Sequence, residues 1–323
     1  MVENNCPLVS LVLACYHPQT AYLVKQLQSL DRQTYSNLEL VVVDDSASDE
    51  AYETIQRLLE EQITSFPYRL FRNELNRGST KSFESALLHA KGSYISFCDQ
   101  DDDWYPEKTK KLLQAICKDK ALLAYSDMHI MDGNDHITHL SAHQKNRRIS
   151  SVQGAGLFPF FLQRNAVTGC SMMVERKLAL LAIPFAEQFY YHDHWLALFA
   201  ASKGKISYVN QALLAYRIHG ENQVGLRILD KIKTKEDYCR KLEKSIERMD
   251  FLLQVFNEEE SAIQSQKENL KTRLFAFQNG PWGVLFTKRN VYGEDWLLWC
   301  FESIYAILPA GMARVMLSLV RRI

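Results

Sequence analysis

The feature that most constrains this chain is a rhythm in its first hundred residues, where short apolar runs alternate with segments of helical spacing. Leu8 to Ala14, Leu38 to Val43, Tyr68 to Phe71 and Tyr94 to Cys98 have the length and composition of buried strands. Between them, Thr20 to Leu30 carries Leu23, Leu27 and Leu30 on one helical stripe, and Glu50 to Glu61 and Ser79 to Ala90 read as further helices. Asn76 and Gly78 break the chain before the last of these. Strands alternating with helices of about ten to fifteen residues imply βαβ units and an α/β fold with a mainly parallel, mixed sheet flanked by helices. Thr168 to Val174 and Ile206 to Tyr208 read as additional strands, and 132–165 as a long, polar, irregular loop.

At 323 residues the chain has room for one large α/β domain and a smaller appendage. After Gly225 the pattern changes: Cys239, Leu242, Ile246, Met249, Leu253 and Phe256 step by threes and fours, as on an amphipathic helix. A boundary is therefore expected near 225, with 1–225 as the α/β domain and 226–323 as a helical C-terminal extension. Lys+Arg 38 balances Asp+Glu 38, so no global charge steers the protein toward nucleic acid. The seven cysteines, at 6, 15, 98, 117, 170, 239 and 300, form no CxxC pair, which suits a reducing compartment rather than a disulfide framework. The N-terminal MVENNCPLVS lacks a secretory pattern, so a cytoplasmic location is expected. Trp296 to Val320 is apolar but broken by Glu302 and Arg314. It reads either as a pair of buried helices or as a surface-lying anchor at the inner face of a membrane, aided by Trp296, Trp299, Arg314, Arg321 and Arg322.

In a parallel sheet, ligands sit beyond the carboxyl ends of the strands, and two acidic clusters fall there. Asp99-x-Asp101-Asp102 places three carboxylates where they repel one another unless a cation or hydrogen-bond donors balance them. All-oxygen ligands suit Mg²⁺ or Mn²⁺, which bridge to substrate phosphates. A calcium-binding EF-hand needs Gly and Glu where Trp104 and Lys110 stand. A plain acidic turn capping the helix near Pro106 is the alternative. The second cluster, Val43-Asp44-Asp45-Ser46-Ala47-Ser48-Asp49, offers acceptors for a pyrimidine base or a ribose, or simply an N-cap at Ser48 or Asp49.

Taken in order, these strings resemble family-2 glycosyltransferases of the GT-A (Rossmann-like) fold from Pro7 to Gly225. The matching elements are Val43-Asp44-Asp45-Ser46, Asn76-Arg77-Gly78, Gly92 and the metal motif Asp99-Gln100-Asp101. Cys98 to Trp104, Asn165 to Met173, Tyr191 to Ala197 and Tyr216 to Gly225 are similar to a subgroup rich in bacterial rhamnosyltransferases. The family's usual Arg-Asn pair is Phe83-Glu84 here, and its Glu-Asp pair is His192-Asp193.

The resemblance implies an inverting, metal-dependent transfer of a sugar from a nucleoside diphosphate, UDP- or dTDP-linked and dTDP-rhamnose by the subgroup, to a glycan or lipid-linked acceptor of surface polysaccharide synthesis. It assigns Asp193 as the base, with Asp99, Asp101 and His219 holding Mn²⁺ or Mg²⁺. Asp44, Asp45, Asn76, Gly78, Lys81 and Asp99 would face the nucleotide sugar, and Thr168, Gly169 and Trp195 the sugar or acceptor. Trp104 and Trp195 each offer a flat apolar face to a sugar ring, or fill the core. Two other readings stand beside this one. A sugar nucleotidyltransferase shares the sheet but opens with a Gly-rich loop where Ala14-Cys15-Tyr16-His17-Pro18 has none. A non-catalytic scaffold on a degenerate fold would not need Asp101, Asp193 and His219 together.

Overall fold

The computed structural model describes residues 6–142, 151–219, 232, 234–279, 296–308 and 312. The chain divides into two compact units, Met1–Gly220 and Glu221–Ile323. In the first, strands β1 (Val9–Cys15), β2 (Leu38–Asp44), β3 (Tyr68–Arg72) and β4 (Tyr94–Cys98) alternate with helices α1 (Thr20–Asp31), α2 (Asp49–Gln62) and α3 (Ser79–His89). Every residue of β2 is buried, as expected of a parallel strand covered by helices on both faces. Strand β5 (Asp103–Trp104), helix α4 (Lys108–Asp119), strands β6 (Leu123–Met131) and β7 (Ile137–His139), and helix α5 (Phe158–Gln163) follow. The unit closes with β8 (Met172–Glu175), α6 (Arg176–Leu181), α7 (His192–Lys203) and β9 (Ile206–Arg217).

The sheet runs β3-β2-β1-β4-β8-β6-β9-β5, with β7 beside β6. β1, β2, β3 and β4 are parallel neighbours, whereas β8 lies antiparallel between β4 and β6. This mixed sheet is the α/β class expected. Three elements differ from the sequence reading. β6 was not anticipated, because Ser126, Asp127 and His129 interrupt its apolar pattern, yet it pairs with β9 along nearly its whole length. β9 continues to Arg217 instead of ending at Tyr208, its exposed middle carrying Asn210 and Gln211. The expected strand over Thr168 to Val174 begins as a single 3₁₀ turn, Gly169–Ser171, and becomes β8 only at Met172. The stretch 132–165 holds β7 and α5 among its described residues.

The second unit contains α8 (Lys235–Val255), α9 (Glu260–Gln278) and α10 (Trp296–Ile307). Thr234 and Asp237 form a reciprocal capping box at the start of α8, which satisfies two N–H groups that a helix otherwise leaves open. Glu302, fully buried on α10, accepts from Tyr238 Oη at 2.5 Å and pairs with Arg273. Among the described residues, no helix is long and apolar enough to cross a membrane. Gly220 to Gly225, Arg314, Arg321 and Arg322, and the side chains of Trp296 and Trp299, lie outside the described residues.

Candidate active site

At the end of β2 the two aspartates do different work. Asp45 accepts from Asn73 Nδ2 at 2.7 Å and from the backbone N–H groups of Arg77 and Gly78, both at 2.8 Å. Its carboxylate is thus taken up in shaping the Asn76-Arg77-Gly78 loop. Gly78 sits at φ +80, where a side chain is strained, and Asn76 Oδ1 accepts from its N–H at 2.9 Å. Asp44 is fully buried and accepts from Ser46 N at 2.9 Å, while its second oxygen has no hydrogen bond among the described residues. Arg72 Nε lies 4.0 Å from that second oxygen. Lys81 is paired with Glu84 one turn along α3, at 3.1 Å, and Glu84 also accepts from Phe185 N.

The acidic loop after β4 meets the end of β9. Asp101 Oδ2 and His219 Nε2 are 2.6 Å apart, with 14% of each side chain exposed. Arg217, fully buried, holds this loop from beneath: its Nε donates to Asp101 O at 2.7 Å and its backbone N–H to Asp102 Oδ1 at 3.1 Å. The same guanidinium reaches Asp135 at 2.7 Å and lies over the Tyr22 ring. Ligand atoms of Asp99, Asp102 and Cys170 fall within 4.8 Å of one another. Burial, then the nearby Asp101 and Asp193 carboxylates, push the Asp99 carboxyl up to about 7. Burial and the same crowding by Asp101 and Asp99 drive Asp102 well above the carboxylate range. Lys108 is enclosed below, its Nζ 3.4 Å from Ser96 Oγ and 2.9 Å from the centre of the Trp104 ring; burial pulls it down to about 7.

Asp193 occupies the first turn of α7, where N–H groups point outward and favour negative charge. Oδ2 accepts from Gly169 N at 3.2 Å and Oδ1 from His194 N at 2.5 Å. Burial outweighs these bonds and lifts the carboxyl to about 6. The preceding His192 is wedged between the rings of Phe83 and Phe97, at 4.3 and 5.0 Å, and burial alone drops it to about 3, so it stays neutral. Gly169 is required there, since a Cβ would lie 2.4 Å from His192 Nε2.

Trp195 does not face a ligand. It is 2% exposed, donates Nε1–H to Ala182 O at 2.8 Å and packs on Tyr190 and Phe199. Two residues along a helix turn about 200° around its axis, so a helix that aims 193 at the site sends 195 into the core. Trp104 is likewise fully enclosed, beneath Lys108. Gly169 lies at the Asp193 carboxylate, joined through its N–H, while Thr168 precedes it in the chain and accepts from Ser171 Oγ at its carbonyl. The structure therefore brings Asp99, Asp101, His219, Asp193 and Gly169 into one electrostatic neighbourhood, and sets Asp44, Asn76 and Gly78 along the adjoining strand end. The sequence reading passed over Arg217, Gln100 and Lys108. Arg217 stood inside a quoted string, but nothing in the string marks it as buried, and Lys108 looks like any lysine of a basic helix face.

The donor set suits a hard divalent cation. The ligand atoms of Asp99 and Asp102 gather with that of Cys170, and Asp101 stands beside them paired with His219, while burial and the flanking carboxylates hold the Cys170 thiol protonated and so remove it as a ligand for Mg²⁺ or Mn²⁺. Burial first, and the Asp101 and Asp193 carboxylates after it, raise Asp99, and a bound cation would oppose both effects.

A mixed α/β sheet with its carboxylates gathered beyond the ends of β2 and β4 defines the class: a GT-A fold of the nucleotide-sugar-dependent transferases. The chain belongs to glycosyl transferase family 2, which matches over residues 10–179. It is 36% identical over 109 residues to an uncharacterized glycosyltransferase of Haemophilus influenzae, a match spanning 34% of each chain. It is 25% identical over 205 residues to the UDP-Glc:alpha-D-GlcNAc-diphosphoundecaprenol beta-1,3-glucosyltransferase WfgD of Escherichia coli, spanning 63% of this chain and 73% of that one. The fold is similar to that of S. aureus TarS 1-349 in complex with UDP-GlcNAc, with TM-score 0.55 and 17% identity, covering 97% of this chain and 87% of the other.

Proposed function

We propose that this protein transfers a sugar from a pyrimidine nucleoside diphosphate to a hydroxyl of a lipid-linked glycan acceptor, with inversion at the anomeric carbon. The observation that carries this reading is the proximity of Asp193, lifted to about 6, to the Asp99 and Asp101 cluster. A carboxylate with that proton affinity is ionised at neutral pH yet basic enough to take a proton from an attacking hydroxyl. The acceptor oxygen bonds to the anomeric carbon as the bond to the diphosphate breaks, and its proton passes to Asp193. Gly169 N–H and His194 N–H orient that carboxylate.

Asp101, His219 and Asp99 would hold Mn²⁺ or Mg²⁺, which when bound offsets the diphosphate's charge. Asp44 offers its second oxygen to the nucleoside, while Asp45 keeps the Asn76–Gly78 loop in shape. Lys81, already paired with Glu84, carries no assigned step. The lipid-linked acceptor is supported by the printed activity of the WfgD relative, and dTDP-rhamnose as donor by the subgroup resemblance. Exposed Ile304 and Ile307 on α10 support peripheral contact with the membrane carrying that acceptor.

A thermal-shift screen of sugar nucleotides with and without Mn²⁺ tests the reading, since a ligand of the native state raises apparent stability by mass action. The expected result is a rise with UDP or dTDP sugars that requires the metal. No response to any nucleoside diphosphate, with or without metal, would refute it.

A further inference from the structure

The order of strands reverses at β1. From it β2 and β3 extend one way, while β4 and the later strands extend the other. The crevice at such a switch point is where open α/β sheets take their ligands. Ladder pairing between β1 and β4 ends with Leu13 opposite Cys98. Beyond it one side chain spans the crevice: Gln100 Oε1 accepts from Tyr16 N at 2.8 Å, and Gln100 Nε2 donates to Tyr16 O at 3.2 Å. A primary amide that accepts from the N–H and donates to the C=O of one residue makes the two-bond exchange otherwise found between antiparallel strands, so Gln100 joins the parallel pair β1 and β4 past the point where their backbones separate.

The far side of the same turn is fixed to the β2 loop. His17 N donates to Ser46 Oγ at 2.9 Å, and Asp45 N to Cys15 O at 2.8 Å. His17 and Ala47 stand at φ 40 and 52, conformations that non-glycine residues keep only where the surroundings determine them. Three loops, after β1, β2 and β4, are therefore tied into one unit, and Gln100 is the β4 contribution to it.

We propose that Gln100 is a positioning residue that couples the two ends of the donor site, passing the placement of the Asp99–Asp101 loop to the Tyr16–His17 turn beside the nucleoside. Gln100 lies between two of the candidate cation-holding residues, so its backbone cannot shift independently of them. Asp101 is itself anchored through His219 and Arg217. A cation that fixes the acidic loop thereby fixes the turn bonded to the Asp44–Ser46 loop, where the nucleoside is proposed to sit. Asn is one methylene shorter, and Glu lacks the donor for Tyr16 O, so the middle position of Asp-x-Asp is chemically selective in this chain. The inference rests on the donor-site reading above.

Uridine and thymidine separate the two ends, because neither has a phosphate for a metal to touch. Their affinities for the intact protein are measured by ligand-observed NMR titration, with and without saturating Mn²⁺, in wild type, Gln100→Met and Gln100→Ala. In wild type Mn²⁺ should tighten one nucleoside by about 5-fold or more, the lower end of ordinary coupling between sites. In both variants that ratio should fall to about 1, while Mn²⁺ and the nucleoside each still bind alone, the signature of lost coupling rather than lost ligands. Equal ratios in wild type and either folded variant would overturn the assignment. So would a wild-type protein that binds nucleoside and Mn²⁺ with no influence of one on the other, a result needing no variant. Failure of wild type to bind any nucleoside or Mn²⁺ sinks the donor-site reading instead, and the coupling with it.

Discussion

Replacing Asp193 by Asn should remove activity and, at the same time, make the protein harder to unfold. The Asp193 carboxyl titrates near 6 in the folded chain against an ordinary 3.8. At about 1.4 kcal/mol per pKa unit that interval is worth roughly 3 kcal/mol. The sign follows from which state binds protons more tightly. Below 3.8 the carboxyl is protonated in both folded and unfolded chains and costs nothing. Between 3.8 and about 6 the unfolded chain ionises first, so stability falls as pH rises. Above that window the full penalty of a partly buried charge persists. Asn removes the charge but presents a single acceptor to the Gly169 and His194 N–H groups. One weakened hydrogen bond costs about 1 kcal/mol, leaving a net gain of about 2 kcal/mol at pH 7.5. For a domain of this size that is a melting-temperature rise of roughly 4–8 °C, read by calorimetry or circular dichroism. The gain should shrink on titration to pH 4.5, and kcat/KM of wild type should rise with pH through about 6. Activity of the variant should be lower by about 10²–10⁴-fold. An Asp193→Asn protein that is no more stable at pH 7.5, or whose gain is the same at every pH, refutes the account of this carboxyl.

Asp45→Ala should cost roughly 2–3 kcal/mol in a urea melt, because it strands the N–H groups of Arg77 and Gly78 and the Asn73 amide. Asp44→Asn, which keeps an acceptor for Ser46 N, should instead weaken nucleoside binding in a titration. Trp195→Ala should destabilise by about 3–5 kcal/mol, as for a buried aromatic, whereas Trp195→Phe should leave the acceptor KM unchanged. Gly169→Ala drives a Cβ against the enclosed His192. It should cost roughly 1–3 kcal/mol and lower kcat, while Mn²⁺ affinity measured by calorimetry is retained.

Much of the α/β unit was legible because β1, β2 and β4 are buried on both faces and so read as predominantly apolar runs, broken only by Ser10, Glu39, the terminal Asp44 and Ser96. β6 escaped notice because it turns Asp127 and His129 toward partly exposed surroundings, so its pattern follows neither template. The acidic clusters were visible as composition at strand ends. Which oxygens are free was not, since that depends on loops 28 to 33 residues apart closing on one another. Asp45 is the clearest instance. Adjacent in sequence to Asp44, it is spoken for by residues 73–78, a fact available only once β3 has returned the chain to the same rim. Trp195 was misjudged for a simpler reason: a short string carries no helical phase, and α7 rotates the indole away from the carboxylate two residues before it.

The reversed direction of β8 has a consequence for how such a protein changes over time. Because β8 starts at the rim where β4 stops, one wall of the cleft is encoded before Asp102 and the other after Asn165. The two walls are joined by the pairs Tyr94 with Glu175, Ile95 with Val174 and Ser96 with Met173, and again by Arg217 on Asp101 and Asp102, Phe185 on Glu84, and His192 between Phe83 and Phe97. Substitutions on one wall are therefore expected to be matched by substitutions on the other, and an exchange of the segment after Asn165 with that of a relative should succeed only where these partners are carried along.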